Sequence, residues 1–288
     1  MQVLRSLGSK PPNNWEIKVE GMSYLHSRPS NIDDKGCIQK ITPQSADWHY
    51  ISFEVHQFVA GQSKVFCSAD QETCMVIVTG LADVTTDNES WTNIGQRMSA
   101  FEKIAPYSVY TPPGDSLLVT ANTELEVAIC KAPAVGKYPT RLIKPEDCSY
   151  VPRGTGTNKR HVCNILFPDQ EAEKLLVVEV ITPEGNWSSY PPHKHDTDNL
   201  PQESALEETY YHKLDPQQGF AFQRVYTDDR SIDETISVEH NSVVMVPEGY
   251  HPVGVPHGYE LYYLNVMAGA TRQWQFKNDP AHEWIVNT

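Results

Sequence analysis

The sequence predicts an all-β protein folded as two tandem barrels, and three observations carry that expectation. From Trp48 onward the chain reads as short β-type runs cut by turn residues. Segments of helical character are few, and the one at residues 169–174 amounts to a turn or two. The two halves also echo one another, and many short strands at this spacing favour a sandwich or barrel over alternating strand–helix units.

Residues 1–45 are rich in Pro, Ser, Asn and Gly, with an irregular Lys10-Pro11-Pro12-Asn13-Asn14 followed by a short strand at 15–19. His26 has no neighbour at metal-ligand spacing and reads as an ordinary surface residue. Strand-like runs follow at 50–55, 74–78, 108–110, 117–119 and 125–129, separated by Gly61, Gly80, Asp87-Asn88 and Pro112-Pro113-Gly114-Asp115. Residues 131–160 carry Pro133, Gly136, Pro139, Pro145, Pro152, Gly154 and Gly156 and read as a linker. A second β-rich half runs from Leu175 to Val266, with a polar, Trp-containing tail. The expected units are an N-terminal domain, 1–140, and a C-terminal domain, 160–288.

The echo is specific. Ser52-Phe53-Glu54-Val55 with Gly61-Gln62-Ser63 matches Val177-Val178-Glu179-Val180 with Gly185-Asn186-Trp187-Ser188. Gln71-Glu72-Thr73-Cys74 matches Glu207-Glu208-Thr209-Tyr210, and 110–116 matches 245–251. Ser116 then stands where His251 does, and nothing in the first half replaces His193 and His195. The expectation is a duplicated barrel whose first copy binds no metal.

A length of 288 residues suits two domains. With 39% hydrophobic and 21% charged residues the chain has a soluble, globular profile. Acidic residues outnumber basic ones 37 to 23, for a net charge of −14, which repels a phosphate backbone and argues against nucleic acid. An anionic small molecule would need local cations. No run approaches the roughly 20 apolar residues that span a bilayer. The opening Met1-Gln2-Val3-Leu4-Arg5-Ser6 lacks a signal peptide's apolar core, so a cytoplasmic protein without membrane association is expected. Six cysteines without C-x-x-C spacing read as reduced thiols.

Chemistry concentrates between Gly185 and Gly254. Tyr190-Pro191-Pro192-His193-Lys194-His195-Asp196 places His193 and His195 on one face of an extended segment. A glutamate in Glu207-Glu208-Thr209-Tyr210-Tyr211 and His251 after Pro247-Glu248-Gly249 would complete a site of three nitrogens and one oxygen. That mixture suits zinc foremost, with iron or manganese as alternatives, over calcium or magnesium. Strand parity alone leaves Glu207 and Glu208 both open. The internal match of Glu72 to Glu208 favours Glu208, so the expected ligands are His193, His195, Glu208 and His251.

This order of ligands resembles the two motifs of the cupins, in which such a set binds a divalent metal inside a small β-barrel. Twelve residues separate His195 from Glu208, where cupins have three or four, and the Pro-x-Gly turn reaches its histidine one residue early. A more specific resemblance rests on residues 189–196, 207–211, 219–226 and 247–253 and the tail Asp279-Pro280-Ala281-His282-Glu283-Trp284-Ile285. Together these resemble the 5-deoxy-glucuronate isomerases of bacterial myo-inositol catabolism, a bicupin family related to the 4-deoxy-uronate isomerases. The likeness covers most of the chain, most strongly 175–285. It implies a bicupin fold, a sugar-acid substrate and an aldose–ketose isomerisation in which the metal stabilises an enediolate.

The base that moves the proton stays open between Tyr210, His212 and the glutamate that is not a ligand. The substrate carboxylate calls for a cation, and Arg224 and Lys194 are the nearest in sequence. A metal-dependent dioxygenase and a non-catalytic sugar-binding bicupin are the competing readings. A homo-oligomer is compatible with either.

Overall fold

The computed structural model describes residues 23–287, so the strand expected at 15–19 lies outside them. Two pairs of facing sheets make up most of the described residues, and a two-stranded pair, His193–Lys194 with Lys277–Asn278, stands beside them. In the first half a six-stranded sheet runs Arg141–Ile143, Ser108–Thr111, Gln71–Thr79, Leu125–Pro133, Ser52–Phe58, Cys37–Ile41. It faces a four-stranded sheet of Ser63–Cys67, Ser116–Ala121, Ala82–Thr86 and Ser90–Ile94. The second half repeats the plan. A seven-stranded sheet runs His26–Ser27, Val243–Val246, Glu207–Asp215, Glu260–Ala268, Leu176–Thr182, Arg160–Leu166, Ser149–Arg153. Opposite it lie Trp187–Ser188, Val253–Gly254, Ala221–Tyr226 and Asp233–Val238.

The large sheets are buried on both faces, which is why their central strands read as continuous apolar runs. One face fills its own barrel and the other packs against the opposite half. Along Glu207–Asp215, Tyr210 and Leu214 join the second barrel's core with Val178, Val244 and Met267. Tyr211 instead joins Phe53, Val76, Ala128 and Leu264 in the core between the halves. Met75, Ile77, Val127 and Ile129 fill the first barrel.

Buried charges cross that central core in both directions. Arg97 of the first half reaches Glu179 of the second through two 2.7 Å hydrogen bonds, with Tyr262 adding a third at 3.0 Å. Lys213 of the second half reaches Glu126 of the first at 2.7 and 2.8 Å, with Tyr211 at 3.0 Å. Two glutamates act as reciprocal bolts. Glu72 accepts the backbone N–H groups of Glu173, Lys174 and Leu175 at 2.7–2.8 Å. Glu207 accepts those of His49, Tyr50 and Ile51 at 2.5–3.1 Å. Each bolt binds the entry to the other half's first long barrel strand, so Glu72 and Glu207 are the equivalent pair. The sequence match of Glu72 to Glu208 is therefore slipped by one residue. So is that of Glu54 to Glu179, because Glu54 shares the barrel-facing side of its strand with Phe58.

Two further expectations are corrected. Residues 131–160 are no linker: Arg141–Ile143 pairs with Ser108–Thr111, and Ser149–Arg153 pairs with Arg160–Leu166. Pro and Gly there mark a hairpin and two short helical turns rather than a structureless connection. His26 is no lone surface residue either, since His26–Ser27 pairs with Val243–Val246 at the edge of the second half's sheet.

Replacing Arg97 by Met should leave Glu179 buried without its partner, and urea unfolding should show a loss of about 3–5 kcal/mol. Removing Arg28, which meets Glu239 at 3.6 Å on the surface, should cost less than about 1 kcal/mol in the same assay.

Candidate metal centre

The site is assembled from three elements of the second barrel. His195 follows the short strand His193–Lys194, which is held by pairing with Lys277–Asn278 of the tail. Glu208 comes from the central strand Glu207–Asp215, and its even position turns it into the barrel with Tyr210. His251 follows the turn at Gly249, whose φ of +91° and 2.5 Å approach to the carbonyl of Tyr226 admit only glycine.

His195, Glu208 and His251 are all buried and offer ligand atoms within 4.8 Å of one another. Glu208 Oε2 lies 3.1 Å from His195 Nε2 and 3.1 Å from His251 Nε2. These three atoms are buried without a hydrogen bond of good geometry among the described residues. The opposite ring nitrogens are occupied: Nδ1 of His195 faces the Leu206 carbonyl at 3.3 Å and Nδ1 of His251 that of Gly249 at 2.9 Å. Such carbonyls fix the tautomer and leave the Nε2 lone pairs directed at a common point. Burial raises the Glu208 carboxyl, but His251, His195 and the Asn265 amide overcome it and hold it at about 2. One carboxylate and two imidazole rings, whose facing atoms converge on one point, fit a divalent cation.

His193 lines the same cavity as Glu208 and Tyr210, its ring 5.0 Å from that of His251, with Phe276 against it at 4.7 Å. Burial, then the neighbouring His251 and His195, lower its pKa to about 3, so it is neutral. Tyr210 bonds Ser189 at 3.0 Å. Its phenol is pushed well above its usual range by burial and by Glu208. His212 stacks on Tyr210 at 5.9 Å but points deeper, Nε2 to Gln223 Oε1 at 3.0 Å, and burial lowers it to about 3. Glu207 is spent on the bolt described above.

Neither cation expected at the substrate carboxylate is brought to this cavity. Lys194 turns to the opposite side of its strand and is buried between Asp196 at 2.5 Å and Glu203 at 3.3 Å. Asp196 in turn accepts the Gly249 N–H at 2.9 Å, so Lys194 couples the histidine pair to the turn that carries His251. The extra residues between His195 and Glu208 supply that network. Arg224 faces outward, forked onto Asp233 at 2.8 and 2.9 Å and lying over the Tyr226 ring. The arginines that do line the cavity are Arg153 and Arg160. They were missed because they fall in the segment read as a linker. The signal was present: Gly154-Thr155-Gly156 between Ser149-Tyr150-Val151 and His161-Val162-Cys163-Asn164-Ile165 marks a hairpin, and its ends line one cavity.

In the first half Ser116 donates to Asp87, and Glu72 lies on the far face of its strand, so the two make no site. Cys37, Glu54 and His56 offer a second group of possible ligand atoms within 4.8 Å. Glu54 already meets His56 at 2.9 Å, and the Lys64 ammonium lies 3.3 Å from the same ring.

Two antiparallel barrels packed back to back, one with converging imidazole and carboxylate groups, define a bicupin. A family model described as KduI/IolB matches residues 25–285, and the chain belongs to that family and is an isomerase. It is 56% identical to the 5-deoxy-glucuronate isomerase of Geobacillus thermodenitrificans (strain NG80-2), over 89% of this chain and 93% of that protein. It is 53% identical to the enzyme of the same name from Bacillus subtilis (strain 168), over 92% and 99%. Among solved structures, an IolB-like protein from Salmonella typhimurium LT2 superposes with a TM-score of 0.89 at 51% identity, covering 91% of this chain and 99% of that one. The oxalate decarboxylase of Lactobacillus farciminis has a TM-score of 0.62 at 14% identity, covering 93% and 91%, a likeness of fold.

The adjacent glutamates separate the two faces of one strand. Glu208→Gln should abolish tight binding of added divalent metal, read by calorimetry, with a modest change in unfolding. Glu207→Gln should keep metal binding and lose roughly 1–3 kcal/mol in urea unfolding, because three backbone N–H groups, that of buried Ile51 among them, lose a charged acceptor.

Proposed function

We propose that the protein interconverts 5-deoxy-glucuronate and 5-dehydro-2-deoxy-gluconate, an aldose–ketose step of myo-inositol catabolism, with a divalent metal in the second barrel. The observation that carries this reading is the convergence of unpartnered donor atoms on His195, Glu208 and His251 beside a cavity. The named relatives, at 53–56% identity over nearly their whole length, point to the substrate. His193, facing the same cavity, completes the ligand set. Zinc, manganese and iron all suit these donors.

The reaction moves a proton from C2 to C1 while the carbonyl shifts from C1 to C2, with no net oxidation. A bound divalent ion supplies the Lewis acidity that renders the C2 proton acidic. Tyr210 keeps its phenolic proton, so its Oη donates a hydrogen bond to a substrate oxygen, and Ser189 at 3.0 Å orients it. Val178, Val180 and Met267 form an apolar cavity wall that limits water around the reacting carbons. Asn265, bonded to Glu208, keeps that carboxylate from rotating.

Turnover in deuterium oxide tests the chemistry. Solvent deuterium is expected at the hydroxymethyl carbon of the product, observed by proton NMR. A product free of deuterium would exclude proton transfer through a solvent-exchanging group. Exhaustive chelation should abolish turnover and a divalent salt should restore it. Activity surviving in protein shown to be metal-free would overturn the metal's role.

A further inference from the structure

In a chain carrying 14 more negative than positive charges, two arginines side by side without an acid call for an explanation. Arg153 and Arg160 are directly opposite each other in the antiparallel pair Ser149–Arg153 with Arg160–Leu166. Like charges directly opposite destabilise a sheet. Both are partly buried, and no carboxylate pairs with either among the described residues. Burial and the Arg160 charge lower the pKa of Arg153, a sign of positive charge without compensation. Gly154, at φ +77°, shapes the turn beside them: a Cβ there would stand 2.2 Å from the Asn158 carbonyl and 2.7 Å from Arg160 Nη1.

Their surroundings join them to the candidate metal centre. Both line the cavity that His193, Glu208 and Tyr210 also line. Tyr263 stands between the two groups: its phenol feels the positive charge of Arg160 and the negative charge of Glu208. The Tyr263 ring packs 4.9 Å from that of Tyr210. The cavity therefore has a cationic end and a metal-ligand end, joined by the apolar wall of Val178 and Val180.

We infer that Arg153 and Arg160 form a carboxylate subsite, which seats the acid end of an open-chain sugar acid and presents its aldehyde end to His193, Glu208 and Tyr210. This deepens the proposed function and rests on it for the identity of the reacting end. Paired guanidinium forks match a carboxylate's geometry, and an entering anion relieves the repulsion between them. The subsite makes the enzyme selective for acids over neutral sugars, and it fixes which end of the chain is isomerised.

Arg153→Met, Arg160→Met and the charge-keeping Arg160→Lys test it, the last because Arg160 Nη1 also bonds the Asn158 carbonyl at 3.0 Å within the turn. With 5-deoxy-glucuronate the Met variants should raise KM by about 10- to 100-fold, the scale of a lost charged hydrogen bond. Metal content and melting temperature should stay near wild type. With 5-deoxy-glucose, which ends in a hydroxymethyl group, wild type and variants should be equally poor. D-gluconate, a carboxylated chain without an aldehyde, gives a readout independent of turnover: calorimetry should show it binding the wild type and Arg160→Lys, and at least about tenfold weaker on the Met variants. Folded, metal-loaded Met variants that bind gluconate as wild type does, or wild type that does not bind it, would overturn the subsite. Gluconate binding lost in the variants, in a protein that turns over no uronate, would keep the subsite and overturn the isomerase reading instead.

Discussion

The register of the strand Glu207–Asp215 is the constraint on which both halves of the molecule depend. Its odd positions bind the halves together: Glu207 bolts residues 49–51, while Tyr211 and Lys213 reach Glu126. Its even positions, Glu208, Tyr210 and His212, furnish the interior of the second barrel. A slip of one residue would exchange these two sets, placing a bolt in the cavity and the Glu208 carboxylate in the interface. Stability and chemistry therefore enforce the same register, and neither could drift without the other failing.

The contacts between the halves are mostly apolar, but their charged members set the alignment. Arg97–Glu179 and Lys213–Glu126 run in opposite senses across the interface, and both pairs are buried. Buried ion pairs add little net stability over apolar packing, yet a mispaired charge there is severely unfavourable. The effect is to penalise every docking of the two apolar sheet faces except one. Precise docking matters to the site because Glu207, adjacent to Glu208, is held by the first half.

Much of this was legible in the sequence. The tandem all-β plan followed from turn residues between short runs, and His195, Glu208 and His251 were marked by an H-x-H pair, an acidic strand entry and a Pro-x-Gly turn. The internal echo identified equivalent strands but not their faces, because Glu72 and Glu208 align in letters while facing opposite sides. Only pairing partners distinguish the two. Arg224 and Lys194 lie close to the histidine pair and the strand Glu207–Asp215 along the chain, yet strand alternation turns Arg224 outward and the Asp196–Glu203 pair draws Lys194 away. Arg153 and Arg160 were overlooked because Pro and Gly signal a break in structure whether they make a linker or a tight hairpin.

The two halves of the chain do not coincide with the two halves of the molecule. His26–Ser27, from the early part of the chain, closes the edge of the sheet to which Val243–Val246 belongs, and Met245 donates its N–H to the Leu25 carbonyl at 2.7 Å. On the ribosome the closing segment emerges long before the strand it must cover, with an entire barrel synthesised in between. Until the two meet, Val243-Val244-Met245-Val246 presents an apolar, unpaired edge of the kind that recruits strands from other chains. Nascent or amino-terminally clipped molecules thus carry a hazard that the finished fold hides. A C-terminal fragment beginning at residue 160 would inherit the His195, Glu208 and His251 cluster together with that open edge.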